Sequence, residues 1–482
     1  MTELVPFCIP AFLGYFTLSA LLNKTPLRWK ELFLLAASIP TGLGICSVIL
    51  FFSLWFVPSQ ARAISLTAGL GTTLFLGGFL LWRRSKDAPK ALDAGSPFNM
   101  ELFRQKFSSW IPKDKKAVLK SAVLAISFLF FLITLESVIR FFLVSVSTNI
   151  TGGWDARYMW SLKAKFMFRS PEAWRGMFSP LLSWSHQDYP LLWPGSLAWG
   201  WNCLGHESLL WAPWVSLCFY VSCALILVWY LGTQVSPVAG WWGGSFFLGL
   251  IPPLFWSIHQ YTDLPLAFFM TASVLMLLTG LRSGHANLLV ISGLMAGLAA
   301  WTKNEGLQFL GVTGLLIAGL KILGKGKTFS DYPARLSPFL WGSCLPLLTV
   351  LVFKIFFGKT GEYLGSAHSL GMIFWGRSES FLISRAFTLH FQDFSSWKGL
   401  WIFFFAAVFT LCFKRNGNKY AWLLPAWIVL LNAGYSLAFL ISPAALAWHL
   451  ETALQRLLIH TAPLALVFCF EILTFRQNAH VK

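Results

Sequence analysis

SAVLAISFLFFLITLESVIRFFLV (residues 121–144) is a nearly unbroken hydrocarbon run, and GWDARYMWSLKAK (residues 153–165) follows it with an acid, an arginine and two lysines set among tryptophans. The first stretch is long enough to cross a hydrocarbon core about 30 Å thick as a helix. The second is the kind of charged, aromatic segment that lies at a membrane surface. Together they read as a transmembrane helix that delivers a polar loop to one interface. A chain this apolar needs a reason to place such charges there, and the reading is an active-site loop centred on Asp155.

The rest of the sequence follows the same pattern. Of 482 residues, 56% are hydrophobic and 12% charged. Apolar runs recur at 4–22, 31–57, 65–82, 121–144, 206–232, 240–258, 263–281, 286–301, 306–320, 336–357, 399–413, 420–441 and 457–475. No polar stretch between them could hold a sizeable soluble domain. The expected fold is therefore an all-α polytopic membrane protein, a bundle of about 13 transmembrane helices. Short interfacial helices are expected in the first large outer loop. Residues 1–120 hold three spans and a basic loop, and 121–482 hold the remainder. The runs at 286–301 and 306–320 are short for full crossings and are expected to form a tight hairpin reaching one face. The many tryptophans suit interfacial anchoring.

The formal charge of +18 does not point to nucleic acid, because the basic residues concentrate in loops between apolar runs. With the N-terminus outside, the inner loops carry 23 Lys and Arg and the outer loops 11. The 83–120 segment alone supplies ten of the inner set. This is the positive-inside bias of an inner-membrane protein, with the N-terminus out and the C-terminus in. No basic segment precedes the first apolar run, so a spanning helix is expected there rather than a cleaved signal peptide. The eight cysteines show neither metal-ligand spacing nor a disulfide framework.

This orientation puts several unusual polar groups on one face. Asp155 can accept a proton from a hydroxyl or hold a divalent metal; as a bare loop acid it could equally cap the following helix. His186-Gln187-Asp188-Tyr189-Pro190 returns the chain to the membrane. Tyr261-Thr262-Asp263-Leu264-Pro265 opens a span, where Asp263 alone would read as a cap. Lys303-Asn304-Glu305 stands between the two short runs. Charges near a bilayer centre are costly, about 2.5–3.5 kcal/mol each on insertion scales, and are therefore paired or functional. Arg456, on the outer side of the last run, could grip a phosphate bidentately or snorkel. Between residues 155 and 175, Lys163, Lys165, Arg169 and Arg175 alternate with aromatics, as in a helix lying in the interface with its cations toward head groups.

These motifs, in this order, resemble the bacterial C-type (GT-C) membrane glycosyltransferases. The likeness rests on Trp154-Asp155 with Lys163-Ala164-Lys165, then residues 186–190, 261–267 and 297–306. Its nearest relatives would be the protein-mannosyltransferase-like and lipid A aminoarabinose transferase-like enzymes. The resemblance covers about residues 120–475 and implies a polyprenyl-phosphate-linked sugar donor, a lipid, glycan or protein acceptor, and an outer-face site in a bacterial inner membrane. It also implies a catalytic Asp in the first large outer loop, the position of Asp155. Two features depart from the family: the three spans before residue 120, and Arg157 where a second acid often follows the first. The second departure argues against a two-carboxylate metal centre in this loop, and no cofactor is assigned.

The expected reaction is inverting sugar transfer with Asp155 as general base. Lys303, Arg456 and one of Lys163 or Lys165 would stabilise the departing phosphate. Asp188, Asp263 and Glu305 would orient sugar or acceptor, and His186 joins the substrate-binding set. A lipid-linked sugar flippase is the rival from another class and should show internal repeats or broken helices. A polysaccharide ligase or polymerase is the rival within the enzyme class.

Overall fold

The computed structural model describes residues 2–23, 25–87, 114–323, 333–358, 380–413 and 420–473. Most of the basic 83–120 segment, residues 324–332 and 414–419, the centre of the 358–397 loop, and Arg476 and Lys482 lie outside the described residues.

The described chain is helical throughout. A short 3-10 turn, Thr2–Phe7, leads into α1 (Cys8–Leu21), then come α2 (Lys30–Phe56), α3 (Ala61–Asp87) and α4 (Lys115–Thr148). The loop after α4 holds a π-helical turn (Ala156–Ser161), α5 (Leu162–Arg169) and two 3-10 turns, Pro171–Phe178 and Pro180–Ser185. α6 (Leu192–Leu204) re-enters the bundle, followed by α7 (Trp211–Gln234), α8 (Pro237–Leu248) and α9 (Ile251–Ile258). The remainder is α10 (Asp263–Ser283), α11 (Ala286–Thr302), α12 (Asn304–Leu323), α13 (Pro333–Phe356), α14 (Phe381–Gln392), α15 (Phe394–Trp397), α16 (Leu400–Phe413), α17 (Leu423–Ile441) and α18 (Leu446–Leu473).

The all-α polytopic class holds, but the expected thirteen spans do not. Among the described residues nine helices are long and apolar enough to cross a membrane, or ten if the bent pair α8–α9 counts as one. The runs of α11, α12 and α16 are not among them, and α11 and α16 are too short, at 17 and 14 residues. The 240–258 run is not one straight helix. It breaks at Gly249-Leu250 with a 55° bend, because Pro252 and Pro253 remove backbone donors and Leu250 takes the extended conformation (ψ 127°). The last helix begins at Leu446 rather than 457, so most of the 442–456 segment read as an outer connection is the first three turns of α18.

α2 belongs to the common core: Phe33 packs on Trp229, Phe51 on Trp301, and Trp301 Nε1 donates to Ser47 Oγ at 3.0 Å. α11 and α13 cross at backbone contact. A Cβ on Gly293 would lie 1.9 Å from the Phe339 carbonyl oxygen, and one on Gly342 1.9 Å from that of Val290. Close approach through small residues is how helices associate without a hydrophobic driving force between them. Polar side chains supply further clamps. Ser216 and Ser257 exchange hydrogen bonds between α7 and α9, and Ser273 with Ser292 between α10 and α11. At the Arg282 end of α10, its guanidinium meets Glu471 of α18 at 2.9 and 3.1 Å, and Tyr230 of α7 donates to the same carboxylate. The tryptophans are divided: Trp160, Trp193, Trp229, Trp301 and Trp427 are among those fully buried in the core, while Trp154, Trp184, Trp242 and Trp448 are exposed.

Candidate functional site

At the other end of α10, opposite Arg282, the chain builds a charged cavity, and its construction begins with two glycines. After α4 the chain turns through Gly152 (φ +72°), where a Cβ would sit 2.7 Å from the His259 carbonyl oxygen. A Cβ on Gly153 would lie 2.6 Å from the Tyr261 ring. Only glycine allows this approach. It lets Gly153 N–H donate to His259 O at 3.0 Å and brings the Asp155 N–H to the Tyr261 hydroxyl at 3.3 Å. The facing loop is fixed in turn: Gln260, at φ +60°, donates its side-chain amide to Ile150 O. Asp155 is thereby held beside the start of α10. Burial, and secondarily the Asp155 carboxylate, push the Tyr261 phenol above its ordinary pKa.

Asp263 occupies the first turn of α10, where the helix dipole favours a carboxylate. It is fully buried and has three partners. Lys303 Nζ approaches its Oδ1 at 2.9 Å, Arg456 Nε its Oδ2 at 3.0 Å, and His460 Nε2 its Oδ1 at 3.1 Å. Arg456 extends the cluster: its Nη2 lies 2.8 Å from Asp155 Oδ2, and the guanidinium stacks over the Tyr261 ring at 4.6 Å. Lys303 also pairs with Glu305 Oε1 at 3.0 Å. Lys303 is the single extended residue (φ −152°, ψ 164°) between α11 and α12, and this break aims its amine inward. α11 and α12 meet there in the tight turn the sequence implied, but only α11, at 17 residues, is short; α12 runs for 20. The motif at 186–190 joins the same turn: Asn304 donates to Asp188 Oδ2 at 2.6 Å, and Lys354 donates to both Asp188 O and Asn304 Oδ1.

The resulting cavity has a volume of about 1160 Å³. Asp155, His186, Asp188, Asp263, Lys303, Glu305 and Arg456 all line it, so the structure brings these seven sequence candidates together. Trp154, Trp184, Trp256 and Trp448 contribute aromatic walls, and Phe439 and Leu457 an apolar one. Its lining carries five carboxylates, with Asp188 and Glu451 beyond those already paired, against the two cations Lys303 and Arg456. Among the described residues, no group of three or more His, Cys, Asp and Glu is placed to hold a metal ion.

Two candidates do not belong to the cavity. Lys163 is fully buried behind the wall, where its ammonium donates to His186 O at 2.6 Å. That bond holds His186 in a left-handed conformation (φ +50°). Burial lowers the Lys163 pKa to about 7, with Asp188 opposing and Lys354 assisting the shift. Lys163 is therefore a support for the 186–190 loop. Lys165 is half-buried and lies on the Glu207 side, where it acts electrostatically on that carboxylate. Lys163 therefore does not turn its cation to head groups as an interfacial helix would. Arg169, by contrast, is exposed and pairs with Glu207.

The sequence reading missed three site residues. His460, fully buried, links Asp263 to the Tyr435 hydroxyl at 3.0 Å, and Tyr435 lines the cavity. Lys354 reaches the 186–190 loop from α13. His460 was hidden inside an expected apolar run, but it follows Arg456 by four residues and so shares its helix face. A titratable residue inside a span is a site signal by default. Comparison with protein-family models, with curated proteins and with solved structures finds no match.

Proposed function

We propose that the cavity transfers a sugar from a polyprenyl-phosphate-linked donor to a hydroxyl acceptor at the outer face of a bacterial inner membrane. The observation that carries this reading is the pairing of Asp155 with Arg456 on the cavity wall, beside Lys303. A phosphate entering the site competes with the Asp155 carboxylate for Arg456. Once the guanidinium turns to the phosphate, Asp155 is left unpaired and available as a base.

Asp155 then takes the proton of the acceptor hydroxyl as its oxygen bonds to the anomeric carbon. The bond from that carbon to the phosphate oxygen breaks, and its electron pair leaves with the polyprenyl phosphate. Arg456 and Lys303 offset the charge that develops there. Asp263 keeps both cations in place through buried bonds, and Asp188 and Glu305 offer acceptors to sugar hydroxyls. The aromatic and apolar walls suit a lipid-linked ligand with a polar head.

The test is transfer of radiolabelled sugar from a polyprenyl phosphate donor in membranes with matched protein levels. Asp155→Asn keeps the shape and removes the base, and a loss of about 10²–10⁴-fold is expected. Transfer at near wild-type rate would move the base to Asp188, and an active Asp188→Asn would end the glycosyltransferase reading.

A further inference from the structure

α4 is the least buried helix long enough to cross the membrane: only 11% of its most apolar window is covered. Its covered side is well defined, with Ser127, Phe131, Phe142 and Val146 buried against the bundle. Trp241 packs on Phe131, and Trp242 donates to Ser127 Oγ. The opposite side carries a regular pattern. Leu119, Ile126, Ile133, Arg140 and Ser147 recur every seven residues, and Ala122, Leu129, Glu136 and Leu143 fall between them at the same period. All nine are exposed among the described residues. A seven-residue spacing over this length is the register in which two left-handed supercoiled helices meet.

Charge marks this seam as more than a lipid-facing stripe. Glu136 and Arg140 form an ion pair on it, with side chains 53% and 81% exposed. Glu136 lies 16 residues from Lys120 and 12 from Thr148. At 1.5 Å per residue these are about 24 and 18 Å, which puts the carboxylate within a hydrocarbon core about 30 Å thick. Charged groups at that depth face a protein partner or a water-filled space.

We propose that α4 is a homodimer interface, in which the 119–147 seams of two copies of this chain pack in parallel. Copies inserted with one topology are related by a two-fold axis along the membrane normal, so their α4 helices must run in the same direction. The interface is then isologous, and any contact of residue i with j is repeated as j with i. Glu136 and Arg140 occupy successive layers of the seam. In this parallel two-fold pair each Glu136 packs beside its own counterpart and diagonally against the arginine one layer on in the partner copy, so two carboxylates and two guanidiniums gather into one neutral cluster. The charge pattern is complementary to itself in this arrangement.

The test is disulfide crosslinking of full-length protein in native membranes, with the eight native cysteines replaced and single cysteines introduced along α4. Ile126→Cys, Leu129→Cys, Ile133→Cys and Leu143→Cys should double the apparent mass on oxidation. Phe128→Cys and Phe141→Cys, exposed but off the seam, should not. If the cysteine-free background inserts poorly, a photocrosslinking residue at Ile133 in the native chain gives the same readout. Glu136→Arg should abolish the dimer product, as should Arg140→Glu, and the double exchange E136R/R140E should restore it. Equal crosslinking on and off the seam, a product with a different protein, lipid adducts alone, or a monomeric double exchange would each overturn the proposal.

Discussion

Asp155 Oδ2 and Arg456 Nη2 lie 2.8 Å apart although the loop after α4 and the third turn of α18 are 301 positions apart in sequence. The same guanidinium holds Asp263 through Nε. One arginine thus bridges a cavity-facing carboxylate and a fully buried one. The first bond lies at the cavity, where the proposed reaction has a phosphate displace it, whereas the second is buried and anchors the side chain.

Replacement of Arg456 should therefore separate two effects. Arg456→Ala leaves Asp263 with a lost partner in a buried setting and should destabilise the protein by about 3–5 kcal/mol. Arg456→Lys keeps the charge but cannot bridge two carboxylates with a planar fork. It should retain most of the stability and still lose most of the transfer activity. Thermal unfolding of purified protein, set beside the sugar-transfer assay, checks both. Equal loss of stability in the two variants would mean that charge alone is irrelevant to the cluster.

Lys303 and Glu305 should couple. Lys303→Ala removes a buried cation shared by Asp263 and Glu305. It should weaken transfer by less than Asp155→Asn does, since in the proposed reaction Arg456 shares the phosphate. Glu305→Gln in the Lys303→Ala background should cost less stability than it does alone, because the carboxylate has already lost its partner. Additive losses in the unfolding measurement would show that the two side chains do not act as a pair.

Much of this arrangement was legible in the sequence. The runs of apolar residues gave the fold class because a bilayer admits few spanning structures. Asp155, Asp188, Asp263 and Lys303 stood out as charges flanking apolar runs, and they converge on one cavity. Three features were not legible, each for a physical reason. Lys163 looks like an interfacial cation, but burial depends on tertiary packing of a short helix whose own pattern is weak. The first turns of α18 contain Glu451 and Arg456, which lower the local hydropathy and made a helix look like a loop. The number of spans was too high because three apolar runs give none among the described residues: α11 and α16 are too short to cross, and α12 follows α11 directly after the turn at Lys303.

The two glycines before Asp155 give a prediction about geometry without chemistry. Gly153→Ala would press a methyl into the Tyr261 ring, and Gly152→Ala would add strain at positive φ as well as a clash with His259 O. Both should displace Asp155 from Arg456 while leaving the transmembrane core intact. The expected outcome is normal membrane insertion and a thermal midpoint lowered by only a few degrees, with transfer reduced about 10-fold or more, since small misplacements of reacting groups are costly. Gly284, also at positive φ (+77°) but with open space around its Cβ position, is the control: Gly284→Ala should leave transfer unchanged.

Lys163 makes a prediction about pH. Its pKa in the folded protein is about 7, against an ordinary 10.5, chiefly because burial penalises the ammonium. Between those values the unfolded chain binds a proton at this site that the folded protein does not. Stability from this group therefore rises with pH across the window from about 7 to 10.5, and below pH 7 the burial penalty is fully present. Lys163→Met removes the titration while keeping much of the side-chain volume. The thermal midpoint of the wild type should rise between pH 7 and 9 relative to that of Lys163→Met, with both measured in the same detergent and salt. The variant also loses the bond to His186 O, so its transfer activity should fall at every pH as the 186–190 loop loosens. A pH dependence of stability identical in the two proteins would mean that Lys163 keeps its charge behind the cavity wall, held by Asp188.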